Sequence, residues 1–400
     1  MRSLRILVVL SKLSPRYGGP PRRTVDFCAA LAARGHTVEL FTTDIDGPDR
    51  LDVPLGTPVE RDGFLVTYHD ARPLHEYAFS LGIASALRRR VGEFDVVHLK
   101  GVYEFPIVAG AFFCRRRRVP YVVEPSGVFD RYHRAASSRK KALHDLLLGR
   151  RVLGEAAAVR YASHAEQQQA IETGLDQGRG CIIPPGMVFP DERELVDVER
   201  IPGLVSYVGR VSAKKGLDVL LDAFALVAEQ RPQCRLALAG NDDEGLTPEL
   251  ERRARELGIR SAVEFHGAID GIAKFRLLAA SEAFVLPTEA ESFGAAAYEA
   301  MAVGTPTIVT PGLADHAALE AAGAAVVAER NAQAVAEALA GILDDPERSR
   351  AIAAAGKRHA RSSYSREHTA VALEQLYAGL VQCRDDRDVS VTSASAAGLP

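Results

Sequence analysis

The strongest constraint on the fold is an alternation that runs through the chain twice. Short continuous apolar runs, each followed by a helix-length segment, occur at Arg5–Leu10 (RILVVL), Thr37–Thr42, Asp95–Leu99, Val119–Val123, Ala157–Ala162 and Cys181–Ile183. The pattern restarts at Leu204–Val208 and continues through Arg235–Ala239, Ala262–Phe265, Ala283–Leu286, Thr307–Val309 and Ala324–Val327. Strands apolar on both faces belong to parallel sheets covered by helices on both sides. The first intervening segment shows the helical half: Val25, Cys28, Ala29 and Ala32 share one face and Gly35 stops it. The expected class is α/β, with two doubly wound Rossmann-like domains and an interdomain cleft, and ligands at the carboxyl ends of the strands.

The rhythm breaks at Pro184, Pro185 and Gly186, followed by a charged stretch to Pro202. This predicts an N-terminal domain over 1–185, a linker over 186–200 and a C-terminal domain over 201–363. A last helix over 364–383 is expected to pack back on the N-terminal domain. The small and polar tail, 384–400, is expected to be disordered.

Composition narrows the function by exclusion. Five cysteines are scattered singly, with no C-x-x-C pair, so neither a disulfide framework nor a zinc site is indicated. No uninterrupted apolar stretch approaches the length of a membrane span. The expectation is a cytoplasmic protein, soluble or peripheral on the inner face of the membrane. Residues 1–185 carry 27 Lys and Arg against 20 Asp and Glu, and residues 186–400 carry 22 against 32. The basic N-terminal half suits an anionic partner.

The chemistry concentrates in Pro287–Gly304, PTEAESFGAAAYEAMAVG. It leaves a predicted buried strand, crosses a polar turn holding Glu291, and enters a helix of small residues holding Glu299. The free N–H groups around Phe293 and Gly294, at the helix start, favour an anion such as a phosphate. Carboxylates for sugar hydroxyls beside a phosphate cradle suggest a nucleotide-sugar site. Taken alone, an early Glu is as well explained by the helix dipole. A second cluster follows the strand Leu204–Val208: Gly209 lets the backbone turn near a ligand, and Arg210 and Lys215 project beyond it. Such cations at a strand end can bind a diphosphate and stabilise it as a leaving group.

Arg210 with Lys215, and Glu291, Phe293, Gly294 and Glu299, resemble the signature of the family-4 retaining glycosyltransferases of GT-B fold. The loop at Gly18–Gly19, the stretch PYVVEPSG at Pro120–Gly127 and IIPPG at Ile182–Gly186 also resemble that family. The resemblance spans Arg5 to Tyr377. It implies that Arg210 and Lys215 hold the donor diphosphate, Glu299 accepts hydrogen bonds from the ribose, and Glu291 faces the donor sugar. Ser292, Phe293 and Gly294 would complete the donor site. Gly18 and Gly19 would let their loop approach the diphosphate and acceptor, and turnover would need domain closure.

One departure stands out. Many relatives have a His where this chain has Ser126, which is no base near neutral pH. Glu124 and His98 are candidate substitutes, each with a structural alternative as a buried partner. In a front-face mechanism the leaving phosphate can itself take the acceptor proton, so the loss of that His leaves transfer feasible. Asp44 and Asp46 (DID) mimic a metal-binding D-x-D, but the cations after Val208 already neutralise a diphosphate. No metal and no cofactor beyond the nucleotide-sugar co-substrate is therefore expected. Arg115–Arg118, and Arg131–Arg151 with their interspersed leucines, form a basic region suited to anionic lipid or to an ordinary solvated helix face. No aromatic interleaving points to nucleic acid.

The reading is a retaining, metal-independent hexosyltransferase moving a sugar from a UDP- or GDP-sugar to a hydroxyl of a glycan, a lipid-linked precursor or a small molecule. Polysaccharide or glycolipid-precursor biosynthesis is the leading context, and glycosylation of a natural product competes with it. A nucleotide-sugar epimerase, a disaccharide phosphorylase and a catalytically silent binding protein are the other readings of the same architecture.

Overall fold

The alternation becomes two parallel sheets in the computed structural model, which describes residues 2–17, 19–71, 77–126, 128, 149–174, 178–291 and 293–396, with side chains to 386. The chain divides into one unit made of Met1–Met187 with Arg366–Pro400, and a second made of Val188–Ser365.

The first unit carries β1 (Arg5–Lys12), β2 (Thr37–Thr43), β3 (Ile45–Asp46), β4 (Asp49–Arg50), β5 (Pro58–Arg61), β6 (Phe64–His69), β7 (Val96–Lys100), β8 (Tyr121–Glu124), β9 (Ala158–Tyr161) and β10 (Gly180–Ile182). The main sheet has the order β10-β9-β8-β7-β1-β2-β6-β5, and the short β3–β4 pair stands apart. Only β5 in that sheet runs antiparallel to its neighbour. Strand order reverses direction at β1, which pairs with both β2 and β7. Ile6, Leu7, Val8 and Val9 are fully buried, with apolar side chains on both faces of the strand. That double burial is why the run reads as continuous rather than alternating.

The β5–β6 hairpin was not among the expected strands. β5 is exposed along its whole length and begins with Pro58, a residue an edge strand tolerates. Asp62 and Gly63 between the strands both have positive φ, 49° and 82°. Asp-Gly in that conformation is the preferred two-residue hairpin turn, so a sequence signal was present.

The last helix, Arg366–Ala396, corrects the expectation of a disordered tail from residue 384. No Gly or Pro interrupts 380–396, and Gln382 donates to Asp386 one turn on at 2.7 Å, so nothing local stops the helix. Ala370, Leu373, Tyr377 and Val381 lie on one stripe of it and join the cluster of Leu4, Ile6 and Val8. The segment 186–200, expected to be a linker, holds a 3-10 turn at Glu192–Leu195 closed by a capping box between Asp191 and Glu194.

The second unit carries β11 (Ile201–Val208), β12 (Arg235–Ala239), β13 (Val263–Gly267), β14 (Ser281–Leu286), β15 (Thr307–Val309) and β16 (Val326–Val327). Its sheet order is β13-β12-β11-β14-β15-β16, and every neighbour pair is parallel. Direction reverses between β11 and β14, the kind of switch point at whose strand ends such sheets bind ligands. The loops leaving these two strands begin at Gly209 and Pro287, where the two chemical clusters of the sequence start.

Candidate active site

In the second unit the loop after β11 ends in the helix Leu217–Gln230, with Gly216 at its N-cap and φ of 68°. A Cβ at Gly216 would lie 2.2 Å from the Pro287 carbonyl oxygen, so the two loops touch backbone to backbone and only Gly fits. The Glu289 N–H and the Thr288 hydroxyl both donate to the Lys214 carbonyl, at 2.8 and 3.1 Å. On its other side the β14 loop is tied to the loop after β15. The Glu291 N–H donates to Gly312 O at 2.8 Å, the Ala314 N–H to Glu291 O at 2.9 Å, and the Thr310 hydroxyl to Thr288 O at 2.6 Å. Glu291 is thus fixed by its backbone before its carboxylate does anything.

Across this junction the Lys215 ammonium forms an ion pair with the Glu291 carboxylate, with the side chains only 12 and 19% exposed. Burial pushes the Glu291 carboxyl up, but Lys215, then Lys214 and the Gly294 N–H, outweigh it and hold the group below its ordinary range. Arg210 lies exposed on the same loop, and its carbonyl accepts from the Tyr207 hydroxyl at 2.8 Å.

Gly294 is the N-cap of the helix Ala295–Ala302, with φ of 67°. Phe293 turns inward and stacks on Tyr298 at 5.0 Å, and Tyr298 stacks on Tyr364 at 4.1 Å. This aromatic pile anchors the helix start. Glu299 comes from the second turn of that helix and pairs with Lys274 Nζ at 2.5 Å, with both side chains mostly buried. Lys274 lies on the helix Gly271–Ala280 and was missed by sequence reasoning. A single Lys in the run GIAKFRLLAA carries no signal of its own.

In the first unit Gly19 opens the helix Gly19–Ala33. Gly18, Ser292, Gly127 and residues 129–148 of the basic region lie outside the described residues. His98 in the middle of β7 and Glu124 at the carboxyl end of β8 belong to one buried network. Glu124 accepts from Lys100 at 2.8 and 2.9 Å, from His98 Nε2 at 3.0 Å, from Ser126 Oγ at 3.3 Å and from Arg160. The Tyr377 hydroxyl donates to His98 Nδ1 at 2.5 Å. Burial opposes ionisation of Glu124, yet Arg160, Lys100 and His98 hold it well below the ordinary range. Burial depresses His98 to about 4, against the pull of Glu124. A carboxylate held by four donors is a weak base, and a buried imidazole bonded at both nitrogens has no lone pair to offer. Both residues therefore stand as structural partners. Ser126 is exposed, with φ of 58°.

Asp44 and Asp46 are also engaged. Both Asp44 oxygens accept from Arg50, at 2.8 and 2.9 Å, and Asp46 accepts from Ser14 Oγ at 2.5 Å. Among the described residues no group of three or more His, Cys, Asp and Glu side chains is placed to hold a metal ion. No helix among them is long and apolar enough to cross a membrane.

Two Rossmann-type units, one carrying the Lys215–Glu291 pair at its switch point and the Lys274–Glu299 pair on the helices beside it, define a glycosyltransferase of GT-B architecture. The chain belongs to this family: the pattern described as "Glycosyl transferases group 1" matches residues 193–359, and that of the "Glycosyl transferase 4-like domain" matches 18–186. The D-inositol 3-phosphate glycosyltransferase of Actinosynnema mirum is 30% identical over 92% of this chain and 93% of its own length. Among solved structures, sucrose-phosphate synthase from Thermosynechococcus elongatus superposes with a TM-score of 0.74 at 21% identity, covering 95% of this chain and all of the other. Anabaena HepE in complex with UDP gives 0.73 at 18% identity, covering 94% of this chain and all of the other. The protein accordingly transfers a sugar from a nucleotide sugar.

Proposed function

We propose that the chain is a family-4 retaining glycosyltransferase that needs no metal, with a UDP- or GDP-sugar as donor and a hydroxyl as acceptor. The observation carrying this reading is the junction of the β11 and β14 loops, where Lys215 meets Glu291. Lys215 and Arg210 are assigned to the diphosphate, Glu291 to the hydroxyls of the donor sugar and Glu299 to the ribose. Gly209, Ser292, Phe293 and Gly294 complete the donor set, and Gly18 and Gly19 belong to the approach of diphosphate and acceptor. In the reaction the C1–oxygen bond to the diphosphate breaks, with its electron pair leaving on the phosphate. The acceptor oxygen bonds to C1 on the same face, and its proton passes to the departing phosphate. Lysine and arginine supply the positive charge a metal would otherwise provide. The engagement of His98 and Glu124 in their network supports a transfer without a side-chain base at that position.

A UDP donor is favoured by the HepE complex, which holds UDP. For the acceptor, a glycan or glycolipid precursor remains one reading, in a cytoplasmic enzyme that reaches an anionic membrane through its basic first unit. A small hydroxylated acceptor is the second, and the full-length relative named for D-inositol 3-phosphate favours it.

The deciding experiment measures melting temperature with UDP, GDP, ADP and dTDP, with and without EDTA, on wild type and Glu299→Ala. Ligand binding to the folded state raises apparent stability by mass action. A rise with one nucleotide, indifferent to EDTA and lost in the variant, is expected. A rise that needs a divalent ion, or that survives in Glu299→Ala, overturns the site. Proton NMR of the product then reads the anomeric configuration, which retention requires to match the donor.

A further inference from the structure

The first unit contains a second concave site, at the amino ends of β8, β9 and β10, away from the carboxyl ends where sugar transfer is expected. It offers about 560 Å³ and is lined by Arg115, Arg118, Arg179 and Arg384 over a floor that includes Tyr121 and Leu380. That volume is in the range of small-molecule sites. The arginines arrive from three separate places. Arg115 and Arg118 end the helix Phe105–Arg117, Arg179 precedes β10, and Arg384 comes from the C-terminal helix.

Their existing partners do not account for the cluster. Arg115 pairs with Glu155, and Arg384 is held by Asp385 at 2.9 Å and by Asp95 at 3.9 Å. Among the described residues Arg179 donates only to a carbonyl, Ala156 O at 2.8 Å. Among the described residues neither Arg118 nor Arg179 has a carboxylate partner. Arg118 also stands at the helix C-cap with φ of 57° and ψ of 30°, a conformation that favours glycine. The helix dipole explains basic residues in the last turn, but it does not explain an arginine in the one position where glycine would be less strained. Outliers of this kind are retained where the side chain has a task.

We propose that this pocket binds a phosphate group, with the exposed Arg118 and Arg179 guanidiniums as donors free of a carboxylate and the Tyr121–Leu380 floor receiving the apolar part of the molecule. Planar guanidiniums lining a semi-apolar cavity suit a phosphate better than lysines or a flat basic surface would. The inference is independent of the donor assignment in the second unit. The phosphate has two sources, a soluble phosphorylated molecule or a lipid headgroup, and each has its own probe.

Inorganic pyrophosphate is titrated calorimetrically into wild type, Lys215→Ala, Arg118→Gly/Arg179→Gln and Arg116→Gln/Arg117→Gln. Arg118→Gly removes the cation while relieving the backbone, so folding is not in question, and the Arg116/Arg117 pair removes equal charge outside the pocket. Binding that persists in Lys215→Ala, is unchanged in Arg116→Gln/Arg117→Gln, and weakens roughly tenfold or more in Arg118→Gly/Arg179→Gln is expected for a soluble phosphate. Sedimentation with vesicles of phosphatidylglycerol in phosphatidylcholine tests the headgroup. Capture that depends on Arg118 and Arg179 but not on Arg116 and Arg117, without pyrophosphate binding, assigns the pocket to lipid. Absence of both kinds of binding, or equal losses in the two double variants, overturns the proposal.

Discussion

The Lys215–Glu291 pair allows a sharp test, because removing one partner should do more harm than removing both. In Lys215→Met the Glu291 carboxylate stays mostly buried, fixed by its backbone bonds to Gly312 and Ala314, and loses the cation that outweighs its burial. Breaking a fully buried pair costs about 3–5 kcal/mol. With 12 and 19% of the side chains exposed, part of that is returned by solvent, and roughly 2 kcal/mol is the working figure. For a unit the size of Val188–Ser365 this lowers Tm by about 4–8 °C. Lys215→Met/Glu291→Gln leaves no stranded charge and should recover more than half of the loss. The pH dependence has a definite sign. In wild type the Glu291 pKa is depressed, so its stabilisation is present above the ordinary carboxylate pKa and lost as pH falls through the folded value. In Lys215→Met burial is opposed only by Lys214 and the Gly294 N–H, so the pKa moves up from its wild-type position and the variant loses less stability on acidification. Scanning calorimetry at neutral pH and near pH 5 should show the deficit shrinking. A deficit that stays constant, or a double-variant cycle additive within about 0.5 kcal/mol, would refute the pairing argument.

Gly216→Ala meets positive φ and the Pro287 carbonyl together, and the loop it would displace is pinned at Lys214 and Gly312; a loss of roughly 3 kcal/mol is expected, and a loss under about 1 kcal/mol by calorimetry would show that the junction yields. Lys274→Met should leave Glu299 unheld, raising KM for the donor with little change in kcat and narrowing the preference for a ribonucleotide over its 2′-deoxy form; competition assays with the two nucleotides read this, and an unchanged preference counts against Lys274 as the residue that positions Glu299. His98 is held neutral, with its pKa depressed to about 4, so the stability it confers is complete above pH 6.5 and declines towards pH 4, by about 3 kcal/mol at most. His98→Asn removes this decline, and the gap between variant and wild type in Tm should narrow steadily over that range; parallel curves would place the acid sensitivity elsewhere.

The parallel strands were legible because both of their faces are buried, which writes them as unbroken apolar runs such as Ile6–Val9 and Ala283–Leu286. The positions of Arg210, Lys215 and Glu291 were legible for a related reason, since a strand end followed by Gly or a polar turn is where such sheets present chemistry. What escaped was pairing. Lys215 and Glu291 are 76 residues apart and Lys274 and Glu299 are 25 apart, and nothing in a single sequence marks two distant charges as partners. The buried cluster of Lys100, Glu124 and Arg160 was hidden in the same way, because charges at strand ends read as solvated until the sheet and the C-terminal helix enclose them. The β5 edge was missed for the opposite reason: four exposed residues leave no apolar trace, and only the Asp62–Gly63 turn betrayed the hairpin.

The pairing has a consequence for how a donor would be held. On the proposed donor assignment, Lys215 already has Glu291 as its partner, so a diphosphate would reach that ammonium by exchange, with the dehydration of the lysine incurred in folding rather than in binding. Exchange releases Glu291 from its cation as the phosphate takes its place. A carboxylate freed in a mostly buried position, with its backbone fixed and its burial no longer offset, needs new donors, and sugar hydroxyls are donors of the right kind. Occupation by the diphosphate and readiness for the sugar are then one event. Glu291→Gln separates them: Lys215 is left uncompensated, so nucleoside diphosphate should bind at least as tightly as to wild type while turnover falls. Isothermal titration beside a rate measurement decides it, and a variant that loses diphosphate affinity in step with its rate would show that Glu291 organises the loop and takes no part in the exchange.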